Sequence, residues 1–287
     1  MIGETFAHFR MIRRLGGGRT GDVYQAEDLR FGRHVAVKLL QPSVCRDLHA
    51  LEELRRETQA VSALRHPHIC TVEEVDEYDD RYFIVMELLG GEPLSAMLTG
   101  RPMDVPLLLD VGTQIADALS AAHGAGVVHR YLRPSNVYVT VRGQVKLLDF
   151  GIARAACITP DRRYSLPVDV LAYLSPEQLL GHELDGRADV FAFGVVLYEM
   201  ATGRLPFSGR NAKEIIAAVL HASPERAGRL NPLLPTGVDW AAHRALEKNR
   251  ASRYQSIEEV RADLARVLHS SHADPPQSAV SYPVRWQ

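Results

Sequence analysis

The chain is poor in cysteine, in long apolar runs and in charge bias. Cys45, Cys70 and Cys157 are its only cysteines among 287 residues. Scattered and odd in number, they suggest no disulfide framework and no zinc site, and they fit a reducing, cytoplasmic setting. No apolar run approaches the ~18 residues that mark a membrane-spanning helix. The 33 basic and 35 acidic residues are well mixed, and the net charge is −2. That balance gives no global case for nucleic acid or an anionic membrane as partner. Met1 to Arg10 has no apolar core, so no signal peptide is expected. What the chain does have is 46% apolar residues, enough over this length for one large domain or two lobes.

Residues 1–88 read as β-rich. Phe9–Leu15, Asp22–Ala26, His34–Leu40, Cys70–Val75 and Tyr82–Leu88 have strand-like alternation or β-branched apolar runs. One interruption, Asp47 to Leu64, places Leu51, Leu54, Val61 and Leu64 at helical spacing, with Pro67 beyond its end. Gly90-Gly91-Glu92-Pro93 reads as a hinge. Residues 89–269 are mainly helical: Asp104 and Pro106 open one helix, and Val190–Met200 is apolar all round, as in a buried helix. Further helices are predicted over Ala212–His221, Asp239–Leu246 and Ile257–Leu268. From Ser270 to Gln287 the chain is polar, proline-bearing and without period, and it reads as a disordered tail.

Gly16, Gly18 and Gly21 form a G-x-G-x-x-G pattern. A dinucleotide-binding turn would continue into a helix, but a strand follows here. The glycines therefore suit a hairpin whose backbone can lie close over phosphates, although a plain flexible turn has the same composition. Lys38 sits in an apolar strand, and a buried ammonium needs a counter-charge, for which Glu57 on the next helix is the natural candidate. Asp149-Phe150-Gly151 follows the β-like stretch Val145–Leu148. A carboxylate at a strand end suits magnesium, and Asn136 can add a second oxygen.

In this order and spacing, the motifs resemble the eukaryotic-type protein kinase family, particularly bacterial serine/threonine kinases. The resemblance runs over about residues 6–269 and includes Ser175-Pro176-Glu177, Asp189 and Arg253, the last a partner for Glu177. It implies an α+β, bilobal fold: a small lobe of five strands and one helix, and a larger, mainly helical lobe. It also implies ATP and magnesium as cofactors and a protein as substrate or partner. Gly16, Gly18, Gly21, Val23, Ala36, Lys38, Glu57, Met86, Glu87 and Leu89 would line the nucleotide site. Asn136 and Asp149 would hold the metal, and His129, Phe150 and Val61 would stack between the lobes. Thr159, Tyr164 and Ser165, near Arg154, Arg162 and Arg163, would be candidate phosphorylation sites, with Arg130 as a phosphate partner.

The chain departs from the family at one cluster. His129-Arg130-Tyr131-Leu132-Arg133-Pro134-Ser135-Asn136 has a tyrosine where the family has the aspartate that orients and deprotonates the substrate hydroxyl. A phenol titrates near ~10 and stays a donor at neutral pH. Arg133 stands at a position where the family often has a lysine, and Asp169-Val170 stands for the usual Gly-Thr. These changes point to a pseudokinase or strongly impaired kinase acting as a nucleotide-responsive module. The alternative is an active serine/threonine kinase with an atypical catalytic loop.

Overall fold

The computed structural model describes residues 1–18, 20–42, 48–150, 163 and 166–273. The first lobe is one antiparallel sheet with strand order β1-β2-β3-β4-β6-β5. Its strands are β1 (Thr5–Phe6), β2 (Phe9–Gly18), β3 (Gly21–Asp28), β4 (Arg33–Leu40), β5 (Val72–Tyr78) and β6 (Arg81–Glu87). Five of these match the predicted strands. β1 is an addition, too short to show any alternation, and it is held by the burial of Phe6 against Phe83.

β4 shows why the lysine points where it does. Successive side chains of a strand alternate between the two faces of the sheet. Val35, Val37 and Leu39 join Phe9, Met11 and Phe83 in a core on one face. Ala36 and Leu40 join Cys70, Ile84 and Met86 on the other. Lys38 lies between Ala36 and Leu40 and so shares their face, which is the face of the cleft. The helix predicted across residues 47–64 is α1 (Leu48–Ala63).

The second lobe packs around the helix expected to be buried. That helix runs from Gly186 to Thr202, and nearly every residue from Ala188 onward is inaccessible. Asp185 caps it by accepting the Arg187 N–H, and Gly203 ends it at φ 70°, a left-handed position that suits glycine. A Cβ on Gly194 would lie 2.7 Å from the Ala245 Cβ, so the helix Thr236–Ala245 crosses at close range there. The predicted segment Ala212–His221 is a helix with those bounds. The last helix, Ile257–Ala273, passes through the expected start of the tail at Ser270, since the helical backbone needs no apolar period to continue for one more turn. Residues 274–287, the rest of that expected tail, lie outside the described residues.

Within the predicted hinge Gly90–Pro93, residues Gly91–Pro93 form strand β7, paired with β8 (Val137–Thr140), which pairs with β9 (Val145–Leu147). Gly91 must be glycine there because a Cβ would collide with the Val139 carbonyl. The β8–β9 hairpin is what positions the chemistry. Asn136 enters it, Asp149 leaves it two residues past Leu147, and Leu148 N–H donates to Asn136 O at 2.9 Å. Two residues that are distant in sequence thus emerge side by side. A parallel bridge from Leu147 to Ile69, with Cys70 N–H donating to Leu147 O at 2.9 Å, ties this hairpin to the strand lobe.

Candidate active site

The cleft has an apolar end and a charged end. At the apolar end Val23, Leu89 and Leu148 pack against Ala36, Cys70, Ile84 and Met86. Cys70 and Leu148 belong to this wall but were not among the expected residues, because a lone cysteine and a leucine before the Asp149 motif carry no signal of their own. Burial raises the Cys70 thiol far above its usual range, so it serves as a small apolar group. The Glu87 carboxylate has two donors. It accepts from Lys146 Nζ at 2.8 Å and from Thr71 N–H at 2.7 Å. Burial alone would raise this carboxyl, but those hydrogen bonds outweigh it and hold the group below its ordinary value. The predicted glycine hairpin is made by β2 and β3, with Gly18 paired to Gly21. A Cβ on Gly16 or Gly18 would meet nothing within 4 Å, whereas one on Gly21 would strike the Leu39 carbonyl. Two of the glycines therefore leave open space, and the third allows β3 to lie against β4.

At the charged end Lys38 Nζ donates to Asp149 Oδ1 at 2.6 Å. Lys38 is 3% exposed, so it has the counter-charge that its burial requires. Asp149 supplies that counter-charge among the described residues. The Glu57 side chain lies outside the described residues, as do Gly151, Thr159, Tyr164 and Ser165. Asp149 takes φ 64° and Arg130 φ 65°, both in the left-handed region that side-chain-bearing residues seldom occupy. Such backbone persists only where its surroundings over-determine it.

For the loop 129–136 those surroundings are explicit. Asp189, fully buried, accepts from His129 N–H and from Arg130 N–H, each at 2.7 Å, and from His123 Nε2 at 2.8 Å. His129 Nε2 donates to Leu148 O at 2.9 Å, and Tyr131 N–H donates to His129 Nδ1 at 3.2 Å. Those two contacts define a neutral imidazole, and burial correspondingly lowers its proton affinity. The His129 ring lies 4.4 Å from that of Phe150, and Val61 shares the same buried cluster as Phe150. Gln178 Nε2 donates to Arg130 O at 2.6 Å from a helix that opens with a Ser175 capping box. Below it, Arg253 grips Glu177 through two nitrogens at 2.7 and 3.2 Å, with both residues buried.

The open side of the same loop is built differently. Tyr131 is half-buried and packs against the helical core. The Arg133 guanidinium lies 5.6 Å from the centre of the Tyr131 ring. Arg133 Nη1 donates to Asp169 Oδ2 at 3.1 Å, while its buried Nε has no hydrogen-bond partner. Val170, in the position of the usual threonine, is buried. Asn136 Nδ2 donates to Tyr131 O at 2.9 Å, which leaves Oδ1 as the acceptor face of the amide.

These features invite comparison with known proteins. The protein kinase domain family matches residues 9–263. This chain belongs to the protein kinase family. This kinase domain is 35% identical over 266 residues to the serine/threonine-protein kinase PrkC of Bacillus subtilis, with 92% of this chain and 41% of that protein covered. It is 38% identical over 263 residues to the serine/threonine-protein kinase PknA of Mycobacterium tuberculosis, with 89% and 60% covered. The chain thus spans about two fifths to three fifths of these curated relatives. Among solved structures, a Mycobacterium tuberculosis PknI kinase domain superposes with a TM-score of 0.76 at 28% identity, covering 94% of this chain and 99% of that one. The fold is therefore the α+β bilobal kinase fold, with the expected strand and helical lobes. Among the described residues no helix is long and apolar enough to cross a membrane.

Proposed function

We propose that this kinase domain binds ATP with magnesium, transfers phosphate weakly or not at all, and works as a nucleotide-responsive signalling module toward a protein partner in the cytoplasm. The residues fit the nucleotide and the metal. The apolar wall around Ala36 and Met86 suits a base, and the open space at Gly16 and Gly18 suits phosphates. Asp149 and the Asn136 amide oxygen form a hard-oxygen pair. Among the described residues no group of three or more His, Cys, Asp or Glu could hold a metal. Magnesium is commonly held by one or two protein oxygens together with substrate phosphates. Bound there, the metal would neutralise charge on the phosphates.

The observation that carries the reading of weak transfer is Tyr131. The loop that presents it is fully braced from below, yet the side chain it presents is a phenol set on the core. Losing general-base assistance costs about 10²- to 10⁴-fold in rate. The serine/threonine-kinase names of PrkC and PknA, together with the Lys38, Asn136 and Asp149 set, favour the second reading of an active kinase with an atypical loop. The two part in one comparison. Phosphate transfer to a generic protein substrate is measured for the natural chain and for Tyr131→Asp, alongside thermal stabilisation by magnesium ATP. Weak transfer that rises on the order of 10²-fold in the variant, with nucleotide stabilisation in both, is the expected result. Vigorous transfer by the natural chain would establish the second reading in its place.

A further inference from the structure

We infer that Asp169 sets the discrimination of this cleft between nucleoside triphosphate and diphosphate, by occupying the guanidinium that would otherwise meet the terminal phosphate. This rests on the nucleotide-binding reading above and extends it to ligand choice.

A chain of contacts leads from the apolar end to Arg133. Ala36 and Met86 form the apolar end. Lys38 follows two residues along the same strand and bonds Asp149. Asn136 comes next, through the Leu148 N–H to Asn136 O bond. Arg133 is last, one turn back from Asn136, whose N–H donates to Arg133 O at 2.9 Å. On the proposed placement, with the base at the apolar end, Arg133 is the group left for the far end of the phosphate chain. The longer chain of a triphosphate reaches further than that of a diphosphate.

Arg133 has few ways to receive such an anion. The Tyr131 ring lies near its guanidinium, and its Nε is buried without a partner. Asp169 Oδ2 already accepts from its Nη1 at 3.1 Å and offsets the guanidinium's charge. The usual glycine at this position could not place a charge there. The Asp169 side chain is 69% exposed while that of Arg133 is 24% exposed, so the carboxylate can be removed with little effect on folding. A terminal phosphate arriving at Arg133 meets a cation whose charge Asp169 already offsets. The net gain from the third phosphate is therefore small, and the cleft accepts both nucleotides almost equally.

The test measures binding and requires no turnover. Affinities for magnesium ADP and for a non-hydrolysable magnesium ATP analogue are measured by calorimetric titration on the natural chain, Asp169→Asn, and the double variant Asp169→Asn/Arg133→Gln. The natural chain is expected to bind the two within about threefold. Asp169→Asn should raise the preference for the triphosphate by about tenfold, the size of one charge-assisted hydrogen bond. The double variant should return to near parity, which excludes a general electrostatic effect of the lost carboxylate. An unchanged preference in Asp169→Asn overturns the inference, and so does a strong triphosphate preference in the natural chain. If neither nucleotide binds, the nucleotide-binding reading itself fails, an outcome distinct from binding without discrimination.

Discussion

Two arginine–carboxylate pairs flank the loop 129–136, and they differ in almost every respect. Arg253–Glu177 lies beneath it, buried and two-pronged, with Arg253 donating also to Arg187 O at 2.6 Å. Arg133–Asp169 lies on the open side, with a single contact and an exposed carboxylate. The buried pair belongs to a bracing network that fixes backbone: Glu177 sits in the helix whose Gln178 holds the Arg130 carbonyl, and Asp189 holds the two N–H groups beside it. The exposed pair joins two side chains and fixes no backbone. Stability and chemistry are thus separated across one loop. Its lower side can keep the kinase geometry while its upper side changes from an aspartate to a phenol.

The strongest way to break this contrast is to remove one half of the buried pair. Glu177→Ala leaves the Arg253 charge buried without a counter-charge and should lower unfolding free energy by about 3–5 kcal/mol in urea titration. Next in size, Asp189→Asn keeps the shape but turns an acceptor of three bonds into a group with one acceptor oxygen. A loss of about 1.5–3 kcal/mol is expected from weakened hydrogen bonds to charge, and an effect near zero would mean that the loop braces itself without Asp189.

A third prediction sharpens the lower side through pH. Burial pushes the His123 imidazole down, but its hydrogen bond to Asp189 and that carboxylate's charge outweigh burial and raise it above its ordinary value. Burial likewise raises Asp189, and His123 more than reverses this. The folded state therefore binds the His123 proton more tightly than the unfolded chain does. That stabilisation is complete below the unfolded value of about 6.5 and fades as pH rises through the raised folded value. His129 shifts the other way under burial, so it destabilises only as pH falls below about 6.5. His123→Asn should accordingly flatten the alkaline decline of the thermal midpoint and leave the acid limb in place. An unaltered alkaline limb would show that this couple is not linked to folding.

The smallest effect belongs to the exposed pair. Asp169→Asn should change unfolding free energy by less than about 1 kcal/mol, the usual range for a solvent-screened pair. Destabilisation as large as that of Glu177→Ala would make the two pairs alike in kind and dissolve the comparison.

Much of this organisation was readable in the chain. The hairpin glycines, the apolar run around Lys38 and the all-round apolar helix are local patterns. Local patterns fix local geometry because alternation and helical period follow directly from backbone dihedrals. Glu177 and Arg253 were paired by resemblance, and the buried bidentate contact is there. Other features could not be read locally. Nothing around Lys38 says that its ammonium meets Asp149, 111 positions away. The short strand β1 owes its existence to Phe83 and its neighbours, and Gly91–Pro93 form a strand because β8 is there to pair with them.

The chain by itself determined which residue types stand in the cleft, above all a tyrosine where a carboxylate would take a proton, because side-chain chemistry is written residue by residue. Only the tertiary structure decided which charges meet. Coulombic and hydrogen-bond partners depend on distances of a few ångströms, and the β8–β9 hairpin and the segment carrying Asp169 set those distances through contacts between residues far apart in sequence.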